Sequence, residues 1–241
     1  GLAAAVLLGA LFAPRLLPAR VPARLTASGR TENGIVAVDA RGSALWERSD
    51  VAAAAHATLF RRADGSAGVA AVITDGKGFI EPAGARVEVL DPATGTTLDR
   101  FRVPPPELFA GGVAPGRWGA AGLSAVNVDG AGADQLVLTI HDVESFPSVT
   151  YVLEPEARLA RPIFVASGHH ALAAAADFDG DGKRELLLVG TANRLGVRVG
   201  LAALRVAKPS DDVRAMGRVS PSLALTPDHY AFEQHRSELL W

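Results

Sequence analysis

The sequence predicts an all-β protein assembled from repeated four-stranded antiparallel units. Three observations carry that reading. Short segments alternate apolar and polar residues, as half-buried strands do. Turns rich in Asp and Gly separate them. One stretch also recurs, since residues 127–138 align with residues 177–188 without a gap, an offset of 50 residues.

The elements follow in order. Residues 1–29 open with Leu2-Ala3-Ala4-Ala5-Val6-Leu7-Leu8-Gly9-Ala10-Leu11-Phe12-Ala13, an uncharged run ending at Pro14-Arg15. This run reads as a short apolar helix, either a truncated membrane anchor or the core of a signal-like segment, with a linker after it; a full span needs about 20 apolar residues. Residues 30–241 form the repeat region. An outer hairpin is expected over 34–50, where Ile35-Val36-Ala37-Val38 turns at Asp39-Ala40-Arg41-Gly42 and resumes at Ala44-Leu45-Trp46. Four-strand units follow over 51–103 and 118–167, and another begins near Ala171. The hairpin of the first unit turns at Asp91-Pro92-Ala93-Thr94-Gly95, residues 148–160 repeat it, and residues 197–206 supply at least one strand of the next. Four-stranded blades around a common axis are the simplest architecture with this rhythm. The expected fold is therefore a β-propeller, partial or small, of about three to four blades.

The segment rich in Pro and Gly at 104–118 would be a long loop between blades, a common place for ligand binding on a rigid scaffold. The C-terminal stretch 227–241 reads as a short helix.

Residues 177–185, Asp-Phe-Asp-Gly-Asp-Gly-Lys-Arg-Glu, run into the strand-like Leu186-Leu187-Leu188-Val189. Asp177, Asp179, Asp181 and Glu185 occupy positions 1, 3, 5 and 9 of a calcium loop, and Lys183 at position 7 offers a backbone carbonyl. That is an all-oxygen shell, suited to a hard cation such as Ca2+. Gly180 and Gly182 let the chain turn tightly enough for the carboxylates to converge. An EF-hand is excluded because position 12 is Leu188 and no bidentate Glu stands there. A solvated acidic turn is the plain alternative, but such turns seldom place carboxylates at four ligand positions.

Residues 171–189, an Ala-rich strand, the Asp-x-Asp-x-Asp-Gly loop and an aliphatic strand, resemble the FG-GAP/VCBS repeat of integrin-α-like β-propellers. In that family the loop joins the first two strands of a blade. The resemblance implies a structural calcium ion and a recognition module without catalysis. The copy at 127–135 keeps Asn127 and Asp129 but has Ala131 and Gln135 at positions 5 and 9, and a fainter copy at 60–68 keeps only Asp64 among the carboxylates. One calcium site is therefore expected.

Composition narrows the partners. With 49% hydrophobic and 21% charged residues the chain is an ordinary globular protein, and its net charge of −2 with no basic stripe argues against nucleic acid. Without cysteine there is no disulfide, thiolate metal site or cysteine nucleophile. No nucleophile elbow, phosphate loop or dinucleotide fingerprint occurs. His169-His170 are adjacent and should point to opposite faces of a strand, His141-Asp142 form a pair at a rim, and His229, Glu233 and His235 do not make a two-histidine zinc motif.

The expected function is a non-catalytic, calcium-stabilised, extracytoplasmic propeller that recognises a protein or glycan ligand in adhesion or sensing, anchored to a membrane through its N-terminal segment. The alternative is a propeller enzyme acting on carbohydrate or using a quinone. A pocket lined by several carboxylates or histidines would favour the enzyme.

Overall fold

The computed structural model describes residues 21–206, apart from 30–33, 52–55, 75–78, 81–83, 104–116, 129, 131, 144–147, 167 and 193–197. The expected N-terminal helix, nearly all of the loop at 104–118 and the C-terminal stretch with His229, Glu233 and His235 fall outside these residues. Among the described residues no helix is long and apolar enough to cross a membrane.

Among the described residues, fourteen strands form four antiparallel sheets that follow one another along the chain. The first sheet holds β1 (Arg24–Ala27), β2 (Ile35–Val38) and β3 (Ala44–Arg48). The second runs from β4 (Ala57–Arg61) and β5 (Ala67–Ile73) to β6 (Ala85–Leu90) and β7 (Thr97–Val103). In the third, β8 (Trp118–Val126), β9 (Gln135–Asp142), β10 (Ser148–Glu154) and β11 (Leu159–Ala166) lie side by side in sequence order. The fourth consists of β12 (His170–Ala176), β13 (Glu185–Ala192) and β14 (Arg198–Leu204). Every pairing is between chain neighbours, so each sheet is a simple meander, the strand order of a propeller blade.

The first sheet corrects one boundary. β1 lies inside the region 1–29 expected to be linker, and it adds a third strand to the hairpin at 34–50 through the pairs Leu25↔Ala37 and Ala27↔Ile35. Leu25 provides the physical reason, since it packs on the buried cluster of Ile35, Val51 and Val69. A four-residue strand with one large apolar side chain has too little alternation to stand out in sequence.

The core is divided into layers between successive sheets. Ile35, Val69, Ala71 and Leu90 fill the space between the first and second; Val72, Val87, Leu136, Leu138 and Tyr151 lie between the second and third; Val137, Val152, Leu186, Leu188 and Leu204 lie between the third and fourth. Alternation along each strand sends successive side chains into the layers on either side, which is why β9 contributes Leu136 to one and Val137 to the next. The sheets meet most closely at their first strands, with β1 beside β4, β4 beside β8 and β8 beside β12. First strands that adjoin in series form the inner side of a fan, as blades do around a propeller axis.

Outer hairpins are locked to their neighbours as well. The indole Nε1 of Trp46 donates to the Pro92 carbonyl at 2.8 Å, and Arg48 reaches Glu88 at 3.1 Å and the Gly95 carbonyl at 3.1 Å. Glu88 is buried and also accepts from the Thr97 hydroxyl at 2.6 Å. The turn at Asp91–Gly95 noticed in the sequence thus meets β3 and carries contact between the first two sheets.

Candidate metal centre

The turn from β12 to β13 gathers the acidic residues. Asp177 organises it, since Oδ1 accepts the N–H groups of Gly180 at 2.7 Å and Asp181 at 3.1 Å, and Oδ2 accepts that of Gly182 at 2.9 Å. Asp179 Oδ1 also accepts from the Asp181 N–H at 3.1 Å. Gly180 and Gly182 have φ of 79° and 85°, in the left-handed region where a side chain would be strained.

Asp177, Asp179 and Glu185 each bring a carboxylate oxygen within 4.8 Å of the other two. Two oxygens each about 2.4 Å from one Ca2+ lie at most about 4.8 Å apart, so this trio has the span of a shared cation site. Asp181 is not part of the trio; its Oδ1 accepts from the Lys183 N–H at 2.8 Å, and its Oδ2 lies 3.8 Å from Lys183 Nζ. The sequence motif therefore resolves into three converging carboxylates and a turn-forming Asp181–Lys183 pair.

Burial separates the members of the trio. Asp177 and Asp179 are exposed, whereas Glu185 is completely buried at the start of β13. Glu185 Oε2 accepts the Phe178 N–H at 2.9 Å, but Oε1 accepts no hydrogen bond. A buried carboxylate oxygen in that state needs positive charge. The group that supplies it is Arg205, just past β14, whose Nε is 3.7 Å from Glu185 Oε1 and whose Nη2 contacts Asp179 Oδ2. Arg205 is the residue that reading the motif alone misses. Its position follows from register, because Leu186 pairs with Leu204 and so sets residues 185 and 205 opposite each other.

The donor set fits a hard divalent cation. Its groups are oxygens throughout, no thiol or imidazole belongs to the trio, and Glu185 Oε1 is a buried acceptor lacking a hydrogen-bond donor. Asp177, Asp179 and Glu185 would hold the ion, which would draw the turn onto the beginning of β13.

The repeat copies show the same backbone plan with less charge. Gln135 Oε1 accepts the Val128 N–H at 3.0 Å, the counterpart of Glu185 and Phe178. Sheets are joined in register at this rim too: the Arg184 N–H donates to the Val128 carbonyl at 2.9 Å, and the Asp134 N–H to the Arg61 carbonyl at 2.8 Å. In both cases position 8 of one loop donates to position 2 of the loop before it. The three aligned copies are therefore linked in series by the same backbone contact. Asp129 and Ala131 of the middle copy lie outside the described residues.

The opposite rim, where first strands begin and second strands end, carries imidazoles from three sheets. His56 precedes β4, His141 lies near the end of β9, and His169 precedes β12. The rings of His141 and His169 are 4.2 Å apart. Burial, then the neighbouring His169, depresses the His141 pKa to about 4, while burial lowers those of His56 and His170. His169 and His170 point apart as expected, the first against His141 and the second edge-on to Phe164. Asp142 is fully buried beside them.

No protein-family profile matches the chain, and no curated protein does. Among solved structures it is similar to the exotype rhamnogalacturonan lyase YesX, with a TM-score of 0.40 and 20% identity over 77% of this chain and 40% of that one. It is also similar to the rhamnogalacturonan lyase YesW, with a TM-score of 0.38 and 19% identity over 77% of this chain and 42% of that one. The chain thus spans about two fifths of the length of each lyase. Neither carries a residue role, substrate or ligand over to it.

Proposed function

We propose that the chain is a calcium-stabilised segment of an extracytoplasmic β-propeller, of FG-GAP/VCBS type, that recognises a protein or glycan and does not itself catalyse a reaction. The observation behind the calcium is Glu185, a fully buried carboxylate with one oxygen lacking a hydrogen-bond donor, within 4.8 Å of oxygens of Asp177 and Asp179. Free calcium is high outside the cytosol, which is where such loops are saturated. Membrane attachment through residues 1–29 completes this reading.

A second reading has its own support. His56, His141 and His169 gather at the rim opposite the metal loop, with His141 and His169 in ring contact, and a cluster of imidazoles is the kind of lining an enzyme pocket would carry. That arrangement would serve a propeller enzyme acting on carbohydrate or using a quinone.

One experiment separates them. The full chain, with calcium, is titrated against acidic and neutral polysaccharides and assayed for new reducing ends. Binding without cleavage supports the recognition module. Cleavage that is lost in His141→Gln, with the melting temperature retained, supports the enzyme. Absence of binding to every polysaccharide removes the glycan from both readings and leaves a protein ligand.

A further inference from the structure

We infer that Arg205 is a tethered competitor for the metal centre: its guanidinium offsets part of the trio's negative charge when calcium is absent and must leave when calcium enters. The inference rests on the calcium reading above and concerns how that site is controlled.

Arg205 contacts the two carboxylates that the ion would share, with Nη2 on Asp179 Oδ2 and Nε 3.7 Å from Glu185 Oε1. A calcium ion held at about 2.4 Å by oxygens of these carboxylates would stand beside the guanidinium, so two cations would compete for the same negative charge. They exclude one another. The guanidinium also fits Glu185 imperfectly, since Oε1 receives its charge without a hydrogen bond. Such a partner offsets the charge of a buried carboxylate yet leaves the oxygen open to a better ligand.

The chain holds the tether while leaving the side chain room to move. Leu204 is fully buried and paired with Leu186, and Val206 packs on the same apolar layer. The backbone on both sides of Arg205 is thereby anchored. Its side chain is 33% exposed, and the proposed release would carry the guanidinium toward solvent with β14 still paired.

The test is calcium titration calorimetry of the full chain with wild type, Arg205→Met and Arg205→Lys, together with the Arg205 Nε–H resonance followed by NMR. A charge-assisted contact of this kind weakens a competing ligand on the order of ten- to a hundredfold. Arg205→Met should therefore bind calcium that much more tightly, Arg205→Lys should fall between, and the wild-type Nε–H resonance should shift with the calorimetric midpoint. Binding by Arg205→Met alone would also support the inference, with a competitor strong enough to close the wild-type site. Equal or weaker binding by Arg205→Met, or a resonance unmoved by saturating calcium, would overturn it and leave the calcium site standing. Absence of calcium binding by every variant would overturn both. Should Arg205→Met fail to fold, Arg205→Lys and the wild-type resonance decide.

Discussion

Replacing Glu185 by Gln and by Ala separates its two roles, acceptor for the turn and charge for the metal. In chelator, Glu185→Ala leaves the Phe178 N–H without its 2.9 Å acceptor, a loss of about 0.5–1.5 kcal/mol for a part-buried bond. It also takes one carboxylate from Arg205, which keeps Asp179 and is partly solvated, so the added cost is about 1 kcal/mol. The total is about 1.5–2.5 kcal/mol. Glu185→Gln can keep the Phe178 bond through its amide oxygen, as Gln135 does for Val128 at 3.0 Å. It also removes a buried charge along with its ion pair, so the net change should stay within about 1 kcal/mol. Calcium at about 1 mM, bound at ~0.1–1 mM, stabilises by about 0.4–1.4 kcal/mol, and both variants should lose that increment. Urea unfolding of the three proteins, each with chelator and with calcium, measures every term. The reasoning fails if the Gln variant in chelator is as unstable as the Ala variant, or if it keeps the wild-type calcium increment.

Three further outcomes are expected. Calorimetry should find one calcium per chain, abolished by Asp179→Ala and unaffected by Asp129→Ala; a stoichiometry of two would show that Asn127 and Asp129 form a site. Gly95 has a φ of 72° and its added Cβ would stand 2.6 Å from Trp46 Cδ2, so Gly95→Ala should cost about 2–4 kcal/mol in chemical denaturation. Stability should fall as pH drops from about 6.5 to about 4. The folded state holds His141 neutral down to about 4, while the unfolded chain takes up its proton near 6.5, so acid favours unfolding across that window. Asp50 and Asp99, whose pKa values Arg48 and Arg158 depress, lose their stabilisation only below their ordinary 3.8 and so leave the window to the imidazoles. His141→Gln should flatten the profile between pH 6.5 and 4, and a wild type that gains stability there would refute the assignment.

Much of the architecture was legible because its cause is local. Alternation and Asp/Gly turns are properties of a few consecutive residues, and they marked the hairpins at 34–50 and 85–98 and the units from 51, 118 and 171 within a few positions of the observed strands. The repeat alignment was equally legible, since one backbone plan at each loop, with a side chain at position 9 accepting from position 2, needs similar residues in the last two copies. Asp177, Asp179 and Glu185 could be singled out because a calcium loop draws its ligands from nine consecutive residues.

Tertiary structure decided the rest. Whether a carboxylate converges with its neighbours or turns back on the loop depends on the direction of its side chain, and that set Asp181, bonded to the Lys183 N–H, apart from the trio. Glu185 and Asp179 look alike in sequence, yet one is sealed under the sheet and the other is in solvent. Arg205 meets them only through the register of β13 on β14, which depends on a connection that sequence spacing does not specify. His56, His141 and His169 came together because first strands converge at the inner edge of the fan, a consequence of sheets packing on sheets that no single segment encodes.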